Sequence, residues 1–278
     1  MEKEGPCRGF SRWRALRRPR AWIISIGNEL LIGRVVNTNA AWIASRLTLR
    51  GVSVERIIVV PDKLDDIVEA VGEACRRAEI VVTTGGLGPT DDDMTMEAVA
   101  AALHQPLVVD EEAKHMVEEF YRRAGLGLTR ERLKMARLPA SAKPIPNPVG
   151  AAPGAYIVAG GCQLFVLPGV PAEMQAMMDH VIELLEPILP KLCVAEEGVT
   201  IKGVPESSLA PLLRRASKRC PDCYTKSHPK GHETMEPIIE VKVLASGKDC
   251  EEAQKKARSV LEELRRLLEE VERGEQQG

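Results

Sequence analysis

The stretch Trp22-Ile-Ile-Ser-Ile-Gly27 opens the pattern that decides the fold. This short apolar run stops at a glycine, which is typical of a buried strand, and a helical pattern follows it as far as Gly51. Val54–Val60 is a second strand, Leu64–Cys75 a second amphipathic helix, and Glu79–Thr84 a third strand that two glycines close. Strands that alternate with helices are βαβ units, because parallel strands need a crossover connection. The pattern predicts an α/β fold with a doubly wound, mostly parallel sheet.

The rest of the chain is less regular until a second domain begins. Residues 94–137 are predicted as three helical pieces, Pro139–Gly154 as a loop and Tyr156–Leu167 as a hairpin, before a long helix that starts at Pro171. Pro187 and Pro190 mark a domain boundary, after which a strand, a helix, two strands and a helix follow. We therefore expect a large domain over residues 21–190 and a small βαββα domain over residues 191–273.

Composition and charge exclude several classes of protein. The chain has 278 residues and a net charge of −2, and residues 1–20 carry seven basic side chains against two acidic ones. We interpret residues 1–20 as a basic disordered leader, although an arginine-rich arm that contacts phosphates is an alternative. No apolar run reaches the ~18–20 residues of a membrane span, and nucleic acid is an unlikely partner because the total charge is close to neutral. Without a secretory signal, we expect a cytoplasmic protein with reduced cysteines.

The strongest chemical signal is the segment Thr83-Thr-Gly-Gly-Leu-Gly-Pro-Thr-Asp-Asp-Asp-Met-Thr95. It follows a parallel strand and precedes a helix, which is the place where open α/β sheets bind ligands. Glycines there let backbone N–H groups converge on an anion, and the helix amino terminus adds partial positive charge. The phosphate-binding candidates are Gly85, Gly86, Gly88, Thr90 and Thr95.

Carboxylates beside a phosphate would repel it unless a cation lies between them. Asp92 and Asp93 follow the glycines, and Glu29 comes after the first strand, which neighbours the third in a doubly wound sheet. We therefore expect these three side chains to act in catalysis and to bind Mg²⁺ or another divalent cation. The alternatives are that the aspartates cap the helix and that Glu29 is a surface residue. Lys134 and Arg137 are candidates to neutralise charge, although a place on a helix surface is the simpler interpretation.

Two further Pro/Gly turns and one pair of asparagines complete the candidate site. The turns lie at strand–helix junctions, and the asparagines either bind a ring or cap a helix. The ligand-binding candidates are Asn37, Asn39, Asn147, Gly150, Gly169 and Glu173.

Four ordered segments together resemble one family. They are Ile26–Gly33 with Asn37–Asn39, Thr84–Thr95, Asn147–Gly154 and Leu167–Met174. These segments look like the amino-terminal domain of CinA-like proteins, which is part of the wider molybdopterin-binding (MoaB/Mog, MoCF) family. The resemblance covers residues 21–190 and implies a MoaB/Mog-like sheet and a homo-oligomer. The amidase domain at the end of full-length CinA proteins is missing from this sequence, so we do not expect its activity.

The resemblance implies two alternative functions. CinA-type domains are associated with metal-dependent hydrolysis of the pyrophosphate in ADP-ribose-like dinucleotides, whereas the Mog branch binds molybdopterin and activates it by adenylylation. Matched to the Mog loop, Asp93, Thr95 and Glu97 keep the aspartate, threonine and glutamate, while Leu87 replaces a threonine and Asp92 replaces an arginine. Replacing a cation with a carboxylate favours metal recruitment. We therefore expect a nucleotide pyrophosphatase, with molybdopterin binding without turnover as the alternative.

A zinc site is a competing hypothesis in the small domain. Cys220 and Cys223 precede His228 and His232 at spacings that suit a tetrahedral Zn²⁺ ion. A disulfide is a second alternative, and plain reduced thiols are the preferred interpretation.

Overall fold

A computed structural model describes residues 18–230 and 237–275. They fall into two compact units, the larger made of Pro19–Thr48 with Val52–Leu189, and the smaller made of Leu49–Gly51 with Pro190 onward. Residues 1–17 of the predicted leader lie outside the described part, so the leader stays a prediction.

A six-stranded sheet forms the centre of the larger unit. Its strands are β1 (Arg20–Ile26), β2 (Ser53–Val60), β3 (Ile80–Thr84), β6 (Lys143–Ile145), β7 (Gly154–Ala159) and β8 (Cys162–Leu167). They lie in the order β2-β1-β3-β8-β7-β6. Strands β2, β1, β3 and β8 are parallel, and β7 and β6 continue the sheet antiparallel. The prediction of a mostly parallel α/β sheet is confirmed, and β1 and β3 are neighbours as expected.

Helices cover both faces of this sheet, which is why its central strands are almost continuously apolar. The helices of the unit are α1 (Asn28–Leu31), α2 (Thr38–Leu49), α3 (Leu64–Arg77), α4 (Thr95–Ala102), α5 (Glu111–Arg123), α6 (Arg130–Lys134) and α7 (Pro171–Leu185). Successive strand residues point to opposite faces, so Trp22 packs with α3, α4 and α5, and Ile23 packs with α2 and α7. The methionines of α7 lie in the second of these cores.

Three short strands occur where the sequence predicts helix or loop. β4 (Leu107–Val109) pairs with β5 (Arg137–Pro139), and β6 falls within the stretch predicted as a loop. Each has only three residues, too few for an apolar alternation to be read, and β4 and β5 are also far apart in the sequence. The pairing of β4 with β5 places Arg137 next to Val109, which is important for the site.

The smaller unit is a three-stranded antiparallel sheet covered by two helices. Its elements are β9 (Cys193–Lys202), α8 (Glu206–Ala216), β10 (Tyr224–Pro229), β11 (Ile238–Gly247) and α9 (Cys250–Glu275), with strand order β10-β11-β9. Every second residue of β11 is buried against the helices. The backbone N–H of Glu252 donates to Asp249 Oδ1 at 2.8 Å, so Asp249 caps the start of the last helix.

Four cysteines of the smaller unit form disulfides, so the expectation of reduced thiols is wrong for them. Cys193 pairs with Cys250, and Cys220 pairs with Cys223. The second bond also overturns the zinc hypothesis, because sulfur atoms bonded to each other cannot act as thiolate ligands. His228 lies in β10, and His232 is outside the described residues.

No helix in residues 18–230 or 237–275 is long and apolar enough to cross a membrane.

Candidate functional site

The ends of three parallel strands converge on Gly85, the first residue after β3. Its backbone N–H donates to the carbonyl of Leu167 at the end of β8, at 3.1 Å. A Cβ atom on Gly85 would lie 2.1 Å from the carbonyl oxygen of Ile26 at the end of β1, and φ is +113°. A Cβ on Gly169 would in turn lie 3.2 Å from the Cα of Gly85. Only glycine fits at this crossing, where the carboxyl ends of β1, β3 and β8 meet.

We call residues 85–95 the Gly85 loop. Its last residue, Thr95, forms hydrogen bonds to its first two residues. The Thr95 hydroxyl donates to the carbonyl of Gly85 at 2.8 Å, and its backbone N–H donates to the carbonyl of Gly86 at 3.2 Å. Thr95 is fully buried. Its hydroxyl already donates to the backbone, and its role as a phosphate contact stays a prediction.

Asp93 and Thr90 hold the outer part of the Gly85 loop. The backbone N–H and the hydroxyl of Thr90 donate to Asp93 Oδ2 at 2.9 and 2.6 Å. A Cβ atom on Gly88 would lie 2.6 Å from the same oxygen, so Asp93 lies directly over Gly88. Lys134 Nζ also donates to the carbonyl of Thr90. The Thr90 hydroxyl is therefore used by Asp93, and a lysine 44 residues away is fastened to the loop.

An open cleft borders this loop. Its lining residues are Gly86, Leu87, Gly88, Asp93, Met96, Glu97, Leu107, Lys134, Met135, Arg137 and Pro153. Two backbone glycines, two carboxylates and two cations thus share one hollow with apolar walls. From the sequence, a place on a helix surface was the simpler interpretation for Lys134 and Arg137. No local sequence pattern predicts the β4–β5 pairing that carries Arg137 to the cleft.

The three predicted metal ligands do not form a cluster. Asp93 lines the cleft, Asp92 is exposed to solvent, and Glu29 folds back so that its Oε1 would lie 2.3 Å from a Cβ on Gly27. Throughout the described ranges, no three histidine, cysteine, aspartate or glutamate side chains are placed to hold a metal ion. The trio predicted as Glu29, Asp92 and Asp93 is therefore not assembled in this structure.

Asn147, Gly150 and Glu173 lie together in what we call the Asn147 cluster. Asn147 Nδ2 donates to Glu173 Oε2 at 2.7 Å and to the carbonyl of Ala152 at 2.9 Å. Asn147 Oδ1 accepts from the backbone N–H groups of Val149 and Gly150 at 3.1 and 2.8 Å. A Cβ on Gly150 would lie 2.2 Å from Glu173 Cδ. The sequence predicted three ligand contacts, and the structure gives these residues mutual partners.

The two remaining candidate asparagines, Asn37 and Asn39, form hydrogen bonds near the ends of β1, β3 and β8. Asn37 Oδ1 accepts from the backbone N–H of Ala40 at 3.2 Å, and its side chain also bonds to Ser25 Oγ, so it caps α2. Asn39 Nδ2 donates to the carbonyl of Gly169 at 2.8 Å and to Thr84 Oγ1 at 3.1 Å. The helix-capping alternative therefore describes Asn37, and Asn39 connects α2 to the turn after β8.

Comparison with known proteins shows which family the chain belongs to. A family model described as "Probable molybdopterin binding domain" matches residues 22–191. The chain belongs to this molybdopterin-binding domain family. A crystal structure of the protein CinA, of unknown function, from Thermoplasma acidophilum is 47% identical and has a TM-score of 0.57, covering 60% of this chain and 98% of that one. The molybdopterin-binding domain is thus CinA-like, and it contains the Gly85 loop, the cleft and the Asn147 cluster.

Curated relatives cover the small unit as well. A protein of Aeropyrum pernix is 54% identical over 254 residues, which is 91% of this chain and 95% of the relative. A protein of Thermoplasma volcanium is 40% identical over 251 residues, covering 90% and 96%. The combination of a molybdopterin-binding domain and a small carboxyl-terminal unit therefore extends over nearly the whole length of these relatives.

Proposed function

We propose that the cleft binds a small phosphate-bearing ligand and that, with a divalent cation, the protein hydrolyses the pyrophosphate of ADP-ribose-like dinucleotides. One observation carries the proposal: Lys134 and Arg137 line the same hollow as Gly86 and Gly88. Cationic side chains opposite a glycine turn are the arrangement that phosphate oxygens need, since charge-assisted hydrogen bonds are stronger than neutral ones.

Different residues of the cleft contact different parts of the proposed ligand. Arg137 offers a planar guanidinium that can contact two phosphate oxygens, while Lys134, bonded to Thr90, holds a positive charge close to the Gly85 loop. Leu87 and Met135 supply apolar wall against which a flat ring can stack.

Asp93 and Glu97 are the carboxylates that face the cleft, and they fit a divalent cation that arrives with its substrate. Mg²⁺ is usually held by one or two carboxylates together with substrate phosphates, so a three-residue cluster need not exist beforehand. When bound, such an ion polarises a phosphoryl group and lowers the pKa of an attacking water. The hydrogen bonds from Thr90 both reach Asp93 Oδ2, and they orient this carboxylate over Gly88. Glu29 and Asp92 would join only through a movement of their segments.

Asp93→Asn tests the reaction. We expect the variant to fold and to bind ADP-ribose, and to release AMP and ribose 5-phosphate at least 100-fold more slowly in the presence of Mg²⁺, because a neutral amide cannot replace an anionic oxygen. Asp91→Asn is the matched control, since Asp91 is an exposed residue of the same loop. Equal rates in the two variants, or no turnover of ADP-ribose by the native protein with Mg²⁺, Mn²⁺ or Co²⁺, would refute the hydrolase.

The alternative is a molybdopterin-binding protein without turnover. The family match supports it, and the same phosphate contacts would hold the pterin's phosphate. Calorimetry with molybdopterin and with ADP-ribose separates the two: tight pterin binding without hydrolysis of any diphosphate ester favours this alternative. The homo-oligomer stays a prediction that light scattering tests.

A further inference from the structure

Two cysteines of the larger unit lie in unusually close contact. Cys75 is near the end of α3, and Cys162 is the first residue of β8, 87 positions later in the chain. Their sulfur atoms are 2.8 Å apart. Ordinary non-bonded contacts between heavy atoms are longer, about 3.5–4.0 Å between carbons, whereas bonded sulfurs are about 2.05 Å apart. The fold therefore holds the two side chains almost at bonding distance before any bond is made.

The two cysteines differ in exposure and in the pKa of their thiols. Cys162 is 1% exposed within the core that α3, α4 and α5 form, and Cys75 is partly exposed. The hydrogen bond from Cys162 and the charge of Arg76 lower the pKa of the Cys75 thiol, although burial opposes the shift. The hydrogen bond to Cys75 and burial raise the pKa of Cys162. Cys75 is thus the sulfur that forms a thiolate and meets an oxidant first.

We propose that Cys75 and Cys162 are the site of a third disulfide, which fastens α3 to the hairpin strand β8. A small-molecule disulfide is the oxidant. The Cys75 thiolate attacks it and releases one small thiol, and the Cys162 sulfur then displaces the second small thiol from Cys75. Two protein thiols and one small disulfide become one protein disulfide and two small thiols, so atoms and electrons balance.

The bond belongs to the edge of the sheet opposite the cleft. Cys162 begins β8, and the end of β8 at Leu167 reaches Gly85 and the site. Closing a loop of this length removes many conformations from the unfolded chain, so the bond acts mainly on stability. This inference does not depend on which ligand the cleft binds.

Peptide mapping tests the bond directly. The full-length protein is incubated with glutathione disulfide, alkylated under denaturing conditions and digested with trypsin without reduction. The fragment 64–76 contains Cys75, and the fragment 138–191 contains Cys162. We expect these fragments to appear as one cross-linked species that separates on reduction. Recovery of Cys75 as an alkylated thiol, or as a mixed disulfide with glutathione, would overturn the proposal.

A set of variants distinguishes the bond from simple packing. We expect Cys75→Ala to lower the Tm of the oxidised protein by roughly 5–15 °C, the range for loss of a disulfide in a chain of this size. Cys162→Ala should cause a loss at least as large, and the double variant should lose no more than Cys162→Ala, because the same bond is already gone. Losses that add in the double variant indicate independent packing effects and count against a bond.

Discussion

The Gly85 loop and the Asn147 cluster look alike in the sequence and differ in the structure. Both are glycine- and proline-rich turns that were predicted at strand–helix junctions and predicted to bind ligand. The Gly85 loop does join β3 to α4, whereas the turn of Asn147 joins strands β6 and β7. In the Asn147 cluster, the side chain of Asn147 bonds to Glu173 and to three backbone groups of its own turn. The Gly85 loop instead borders a cleft that also contains Lys134 and Arg137. A Pro/Gly signature thus indicates a chain reversal, and ligand binding depends on which polar groups the fold leaves uncommitted.

The largest expected effect is a loss of stability on substitution of Gly85, where the ends of three strands meet. We expect Gly85→Ala to reduce the free energy of unfolding by about 4 kcal/mol or more, because the new Cβ meets a backbone oxygen and φ is +113°. Gly160→Ala is the control, since Gly160 also has a positive φ but no atom within 4 Å of a Cβ, and it should cost about 1 kcal/mol. Urea denaturation measures both, and similar values would show that the strand ends are not tightly crossed.

Loss of the central side chain of the Asn147 cluster should be the next largest effect. We expect Asn147→Ala to cost about 2–4 kcal/mol of unfolding free energy, because it removes four hydrogen bonds and leaves backbone groups without partners. Asn28→Ala, at an exposed position, should change it by less than about 0.5 kcal/mol. If Asn147→Ala stays stable and instead loses ligand affinity, the Asn147 cluster is a binding surface after all.

Removal of a cleft cation should affect affinity and leave stability almost unchanged. We expect Arg137→Gln to weaken ADP-ribose binding about tenfold, which is about 1.4 kcal/mol, because a charge-assisted contact to phosphate is lost. Arg122→Gln, on the exposed part of α5, should bind like the native protein. Calorimetry at low salt measures both, and equal affinities would mean that the ligand does not enter this cleft.

The smallest effect should come from Glu29. Its carboxylate lies over Gly27, outside the residues that line the cleft, so we expect Glu29→Gln to change the hydrolysis rate by less than about twofold. The comparison with Asp93→Asn is informative, because both substitutions remove one negative charge. A loss as large as that of Asp93→Asn would indicate that α1 moves onto the ligand, as the predicted trio of carboxylates requires.

The parallel sheet and the position of the Gly85 loop could be predicted from the sequence. Apolar runs such as Trp22–Ile26 and their alternation with amphipathic helices are local signals, and the same is true of the glycines that end a strand. The short strands β4, β5 and β6 could not be predicted, because three residues carry no readable period. A disulfide was only an alternative to reduced thiols for a different reason, since the thiols were interpreted from the expected compartment and not from proximity.

The amino-acid sequence alone was sufficient for the alternation of the longer strands and helices, the family and the loop that carries the candidate site, since each rests on segments of residues close together in the chain. The tertiary structure decided which residues lie at the site. It brought Arg137 to the cleft through β4, bonded Lys134 to Thr90, turned Glu29 over Gly27, and placed Cys75 beside Cys162. These contacts depend on how whole elements pack against one another, and the periodicity of a single segment contains no information about its distant neighbours.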